Sequence, residues 1–283
     1  MGIIDIGIKG GCRPCSIRLD LDPALPADSN IMRFVAGGRF YEPDVSRVLL
    51  RVLREGDTFI DVGGNVGFFT TLAAALVGPN GRVVSFEPDP GNTARLRHNI
   101  GLNAFGNVTV VDRPALAASG TVDFYLNGDD SGGSALWDPG EYPDNARSRQ
   151  SPNRLSLHGT TIDAELARLG LSDIRLLKID TEGAEHNVLR GATRLLRHGG
   201  VPFVVCELHE FGLERMGSSQ AALRAEMAAF GYDTFMLHYD GSLPRLIPAP
   251  SRIATTYVCN ILFSTREAVG ACWPEYLHQP GEL

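Results

Sequence analysis

Apolar residues along this chain fall into two rhythms that take turns. Short, almost continuously apolar runs predict buried strands at 58–62, 82–87, 107–111, 174–180 and 201–207. Between them apolar positions recur every three or four residues, which predicts helices near 66–77, 91–102, 162–169 and 184–198. Turn residues mark the boundaries: Gly78, Pro79, Asn80 and Gly81 stop one helix and launch a strand, and Gly199, Gly200 and Pro202 do the same later. Strands alternating with helices imply an α/β domain built on a parallel sheet with crossover helices.

The flanks follow other patterns. Ile4, Ile6 and Ile8, then Ile17, Leu19 and Leu21, alternate around Gly10 and Gly11, so residues 1–40 read as a hairpin or cap. Pro43 suits the first turn of a helix whose Val45, Val48, Leu49, Val52 and Leu53 form one apolar face. Tyr41 and Glu42 precede it, either as a cap or in contact with a ligand. Leu223, Met227 and Phe230 give a late helix stopped by Gly231, and the runs 232–238 and 255–263 read as closing strands. The main domain is expected over 41–265, with a tail at 266–283. Residues 127–154 break the rhythm after a strand-like run at 121–126. They hold several glycines and arginines with Pro139, Pro143 and Pro152, and read either as a mobile lid over the acceptor side or as a disordered insertion.

At 283 residues, 43% of them hydrophobic, the chain can bury one large core, and no linker splits it in two. The net charge of −7 and the absence of a Lys/Arg stripe argue against a nucleic-acid partner and for a small molecule; Lys9 and Lys178 are the lysines before residue 200. No apolar run is long enough to span a membrane, and the N-terminus has no signal-peptide pattern, so a cytoplasmic protein is expected. Five irregularly spaced cysteines describe no disulfide framework, and the Cys12/Cys15 pair lacks a second pair or a histidine.

The chemistry concentrates at strand ends. After the run 58–62 comes a turn with Gly63, Gly64, Asn65 and Gly67, and the run 82–86 ends at Glu87. Glycines let a ligand approach the backbone, and an acid after the second strand can accept both hydroxyls of a ribose. The turn lacks the G-x-G-x-x-G dinucleotide pattern, and Asp61 at its mouth would repel a pyrophosphate. That carboxylate suits a nucleoside carrying an ammonium or sulfonium, which points to S-adenosylmethionine (SAM). The expected cofactor residues are Asp61, Gly63, Asn65, Gly67 and Glu87.

At these residues the chain resembles the FkbM-type methyltransferases, a branch of the class I SAM-dependent enzymes. The similarity also covers Tyr-Glu-Pro-Asp at 41–44, Phe-Glu-Pro-Asp at 86–89, Leu-Lys-Ile-Asp-Thr-Glu-Gly-Ala-Glu at 177–185 and Val-Val-Cys-Glu at 204–207, extending over 40–211. Gly64 departs from the alanine more frequent in the family. The resemblance implies a Rossmann-like, mostly parallel seven-stranded sheet with an antiparallel last strand and helices on both faces. It also implies methyl transfer from SAM, commonly to a hydroxyl of a saccharide or other natural product.

On the acceptor side, Asp180 follows the fourth predicted strand, Glu207 ends the fifth and His209 lies two residues on. Ligands of open parallel sheets sit beyond such strand ends. Methyl transfer to a hydroxyl needs alignment and a base, and His209 has the ordinary pKa closest to neutral. Asp180 and Glu207 are read as groups that orient the acceptor hydroxyl or bind the SAM ammonium. A divalent metal on Asp180, Glu207 and His209 is chemically possible but not favoured, because no compact ligand motif supports it. Glu182 and Glu185 read as first-turn acids of a helix, and Lys178 as the partner of a nearby acid. N-methylation of an amine, such as an amino sugar, is the alternative activity. A nicotinamide-dependent dehydrogenase lacks its glycine pattern here, and a non-catalytic nucleoside-binding module leaves the acids of strands four and five without a task.

Overall fold

A computed structural model describes residues 2–9, 14–197, 200–254 and 258–278. The chain opens with a hairpin, β1 (Gly2–Ile8) and β2 (Cys15–Leu21), in which Ile6 faces Ile17. Its alternation buries Ile6, Ile8, Ile17, Leu19 and Leu21. Helices α1 (Pro26–Ala36) and α2 (Pro43–Val52) follow. Then come β3 (Thr58–Val62), α3 (Phe68–Val77), β4 (Arg82–Phe86), α4 (Pro90–Leu102) and β5 (Val108–Val111). A second hairpin, β6 (Gly120–Leu126) and β7 (Asn153–Gly159), brackets the short α5 (Ala146–Gln150). The chain continues through α6 (Ile162–Leu169), β8 (Leu176–Ile179), α7 (Glu185–Arg190), α8 (Thr193–Leu196), β9 (Phe203–Leu208) and α9 (Glu210–Arg215). It closes with α10 (Gln220–Ala229), β10 (Asp233–Met236), β11 (Arg245–Leu246), β12 (Cys259–Ser264) and α11 (Arg266–Cys272).

The main sheet runs β11-β10-β12-β9-β8-β3-β4-β5. Five strands, β5, β4, β3, β8 and β9, are parallel, and β12 lies antiparallel between β9 and β10. This is the arrangement expected of the class I methyltransferase sheet, with the two-residue β11 as an added edge. β3 is buried on both faces, as a central parallel strand must be. Phe59 packs with α2, α3 and the first hairpin through Leu49, Leu72 and Leu19, while Ile60 faces the opposite layer with Val188, Leu189 and Met227. Helices therefore cover both faces. The strand order reverses between β3 and β8, which opens a crevice at their carboxyl ends.

Three regions differ from the sequence reading. The helix expected at 184–198 is broken into α7 and α8 at Gly191 and Ala192. A side chain on Gly191 would come within 2.0 Å of the Leu116 carbonyl, so glycine lets the incoming chain lie against the break. The segment 127–154 is not structureless: Asp129 accepts from the Arg147 and Ser148 N–H groups, and Asp130 and Asp138 accept from Gly132 and Gly140 N–H. Aspartates thus replace the missing secondary-structure hydrogen bonds. The strand expected at 255–263 begins at Cys259, with 255–257 outside the described residues, as is Cys12.

Candidate active site

The crevice holds two adjoining cavities. The first, of about 70 Å³, is lined by Gly63, Asn65, Phe86, Glu87, Phe124 and Ser131. The glycine turn builds its floor. Gly63 has φ +87°, and a Cβ there would sit 1.8 Å from the Asp180 carbonyl, so only glycine lets the ends of β3 and β8 touch. Asn65, in the left-handed region at φ 48°, donates its N–H to Glu87 Oε2 at 2.7 Å, and Asp89 N–H reaches Oε1 at 2.9 Å. Burial pushes the Glu87 carboxyl up to about 8, against the lowering pull of those two N–H groups. Asn65 Oδ1 and Ser131 Oγ are buried at this cavity without a protein partner. These orphan groups, the aromatic walls and Glu87 fit a nucleoside: hydroxyls for the acid, apolar rings for a base, unsatisfied atoms for its polar edge.

Asp61 and Gly67 line neither cavity. Asp61 is fully buried beneath the turn, where Thr70 Oγ1 donates to it at 2.6 Å and Lys178 Nζ lies 3.5 Å away. Gly67 caps α3 at φ 99°, its Cα facing Leu96. The structure thus places both as supports of the turn. A Cβ on Gly64, the family departure, would meet Ser85 Oγ at 2.2 Å, which explains why glycine is accommodated in this chain.

The second cavity, of about 300 Å³, is lined by Tyr41, Glu42, Asn65, Trp137, Glu207 and His209, among others. It shares Asn65, Asp180 and Glu182 with the first, so one wall serves both. Asp180, Glu182 and Glu207 each offer an oxygen within 4.8 Å of the others, the one convergent acid or histidine trio of this kind among the described residues. Lys178, buried under the rim, holds Asp180 at 3.0 Å. Burial opposes the Lys178 charge, yet Asp180, Asp61 and Glu42 outweigh it and hold its pKa above the ordinary value. Burial and then the neighbouring Asp180 push the Glu182 and Glu207 carboxyls far up, and the same causes bring Glu42 to about 8. Glu207 Oε2 has no hydrogen-bond partner. Glu182 departs from the helical expectation: it sits in a left-handed turn at φ 56° before α7 and faces the cavities. Glu185 instead turns inward and accepts from Thr181 and Gly183 N–H.

His209 caps α9. Its Nδ1 accepts the Gly212 N–H at 2.9 Å, so the neutral ring carries its proton on Nε2. Nε2 lies 3.8 Å from Glu182 Oε2. The sequence reading of His209 as general base needs a bare nitrogen facing the acceptor, and this hydrogen bond places a donor there instead. Burial lowers the His209 pKa against the raising pull of Asp180, which favours the neutral ring. Trp137 stacks on the imidazole at 6.1 Å and donates through Nε1 to the Glu182 carbonyl at 2.6 Å, so the 127–154 segment roofs the cavity. Trp137 and Tyr142, which also lines this cavity, escaped the sequence reading because a lone aromatic in a proline-rich loop has no periodicity to reveal its direction.

Residues 61–234 match the Methyltransferase FkbM domain, and the chain belongs to the FkbM methyltransferase family. It is 30% identical over 169 residues to the hexuronic acid methyltransferase AglP of Haloferax volcanii, covering 59% of this chain and 62% of that protein. It is 31% identical over 165 residues to the 2-O-methyltransferase NoeI of Sinorhizobium fredii, covering 54% and 64%. The 31-O-demethyl-FK506 methyltransferase FkbM of Streptomyces tacrolimicus is 32% identical over 165 residues, covering 49% and 60%. The matches span less than two thirds of each relative.

Proposed function

We propose that this chain transfers a methyl group from SAM to a hydroxyl of a small saccharide or natural-product acceptor. The observation that carries this reading is the shared wall: Asn65, Asp180 and Glu182 border both the nucleoside-shaped cavity and the acid-lined one. A donor and an acceptor seated in the two cavities meet at that wall, and alignment is the largest part of the catalytic task. When bound, SAM supplies an electrophilic methyl on sulfur. Glu87 and Asn65 hold its nucleoside. Glu207, which has one oxygen without a partner, takes the acceptor's proton in its ionised form, and the burial that raises its pKa makes that carboxylate the stronger base. Asp180, fixed by Lys178, orients the acceptor, and His209 donates from Nε2. The similarity to a hexuronic acid methyltransferase and to a 2-O-methyltransferase supports a sugar hydroxyl as the target.

The five acids lining the second cavity, Glu42, Asp130, Asp180, Glu182 and Glu207, favour one second reading, an amine acceptor. Incubation with ¹³C-methyl SAM and a panel of uronic acids, neutral sugars and amino sugars, followed by NMR, separates the two. O-methyl resonances on the sugars support the proposal. Methyl groups confined to amines replace it with the second reading, and failure of calorimetry to detect binding of SAM or its demethylated product removes both.

A further inference from the structure

On the other side of the α2 N-terminus lies a groove of about 1060 Å³, larger than either crevice cavity. Its rim carries Lys9, Arg39, Arg47, Arg51 and Arg54, in a chain whose net charge is −7. Arg47 and Arg51, four residues apart, share one face of α2, and Arg54 follows just beyond its C-terminal end. Like charges so spaced repel. Arg51 is compensated by Glu275 at 2.6 Å, while among the described residues Lys9, Arg39, Arg47 and Arg54 form no ion pair. Asp44, Asp240 and Asp57 are nearby acids: Asp44 is buried and accepts from Asn260 at 3.0 Å, Asp240 is engaged by Ser242, both feel the Arg47 charge, and Asp57 accepts the Arg54 backbone N–H at 2.7 Å. Arg47 is held in place, donating to the Tyr239 carbonyl at 3.2 Å. It lies against Gly241, where a Cβ would come within 2.3 Å of the guanidinium. The floor is apolar, with Phe40, Val48, Leu237 and Trp273.

The groove adjoins the active site. Phe40, Pro43 and Asp44 line it, while Tyr41 and Glu42 line the acid cavity, so one short stretch of chain walls both. Tyr239, 53% exposed, stands on the groove side yet close enough to Asp44, Glu42 and Glu207 for their charges to add to the effect of burial in raising its phenol pKa. Guanidinium groups grip phosphate oxygens through paired N–H donors, and a fixed arginine over an apolar floor suits a phosphate joined to a less polar group. We infer that this groove binds the phosphate or diphosphate of a phosphate-ester acceptor whose hydroxyl reaches the acid cavity.

The word acceptor rests on the methyl-transfer reading, but the binding test does not. Titration calorimetry at low ionic strength with inorganic pyrophosphate, glucose 1-phosphate and glucose is expected to show saturable one-to-one binding of both phosphates and none of glucose. Arg47→Gln and Arg54→Gln are each expected to weaken phosphate binding about tenfold, by loss of one charge-assisted contact. Binding of demethylated SAM should stay at the parental level, which also reports an intact fold. No saturable binding of pyrophosphate, or parental affinity in the double variant, would overturn the inference. Pyrophosphate binding without glucose 1-phosphate binding would overturn the assignment to an ester. If phosphates bind and SAM does not, the groove stands and the methyl-transfer reading falls.

Discussion

The two cavities of the crevice treat their carboxylates in opposite ways. In the nucleoside-shaped cavity Glu87, which lines this cavity and not the other, is met by two backbone N–H groups, while Asp180 and Glu182 belong to the shared wall. In the acceptor cavity Asp180, Glu182 and Glu207 crowd together with Glu42, backed by the one cation Lys178, and Glu207 keeps an oxygen without a partner. Two N–H groups fix the direction in which the Glu87 carboxyl meets hydroxyls. Crowded, desolvated carboxylates are proton reservoirs, because each raises the cost of ionising the next. On the proposed function, the first kind of site binds and the second reacts.

Separating those roles by mutation gives the largest expected effect first. Glu207→Gln removes the proposed base without changing shape, and turnover should fall by about 10²–10⁴-fold while SAM affinity stays near parental. A variant with parental turnover would place the base elsewhere on the rim. Glu87→Ala should do the reverse, weakening SAM binding by roughly 1.5–3 kcal/mol through loss of charge-assisted hydrogen bonds, as calorimetry would read. Unchanged affinity in a folded variant would free Glu87 from the ribose. His209→Ala should cost about tenfold in turnover, the worth of one hydrogen bond, and His209→Gln should recover part of it. A loss as deep as that of Glu207→Gln would restore the histidine as base.

The smallest effect concerns stability. Glu42 and Glu87 titrate near 8 in the folded protein against an ordinary value of 4.5. Between those values the folded state holds protons that the unfolded chain has released, so the stabilisation is complete below pH 4.5 and is lost as pH rises through about 8. Thermal melts of the parent should therefore move down between pH 5 and pH 8, roughly the window set by those values. Glu42→Gln should flatten that slope, and an unaltered slope would show that Glu42 ionises freely.

Legibility in the sequence followed periodicity. The strands at 58–62 and 82–86 and the helix holding Val45 and Val48 were readable because burial forces a regular pattern on them. Glu87, Asp180 and Glu207 were readable as strand-end acids. The tasks of Asp61, Glu182 and His209 were not. Whether Asp61 points up into the turn or down to Lys178, whether Glu182 joins the helix, and which histidine nitrogen faces the cavity depend on neighbours from distant parts of the chain. The hairpin strand β7 was hidden for a related reason: its partner lies beyond the 127–154 segment, and its exposed face breaks up the apolar run.

That hairpin leaves the domain and returns through a single gate. Leu116 N–H donates to the Thr160 carbonyl at 2.7 Å and Thr160 N–H to the Pro114 carbonyl at 3.0 Å, with Ala115 and Thr160 bridged side by side. The stretch 117–159 lies outside the main sheet, carries the roof of the second cavity, and rests on the body through side-chain contacts such as Asn92 to the Ser131 carbonyl and Trp137 to the Glu182 carbonyl. Such a stem is a natural cassette boundary. Exchange of the whole cassette between relatives would replace the roof of the second cavity together with the Phe124 and Ser131 walls of the first, while leaving the sheet that carries Glu87 and Lys178 uncut.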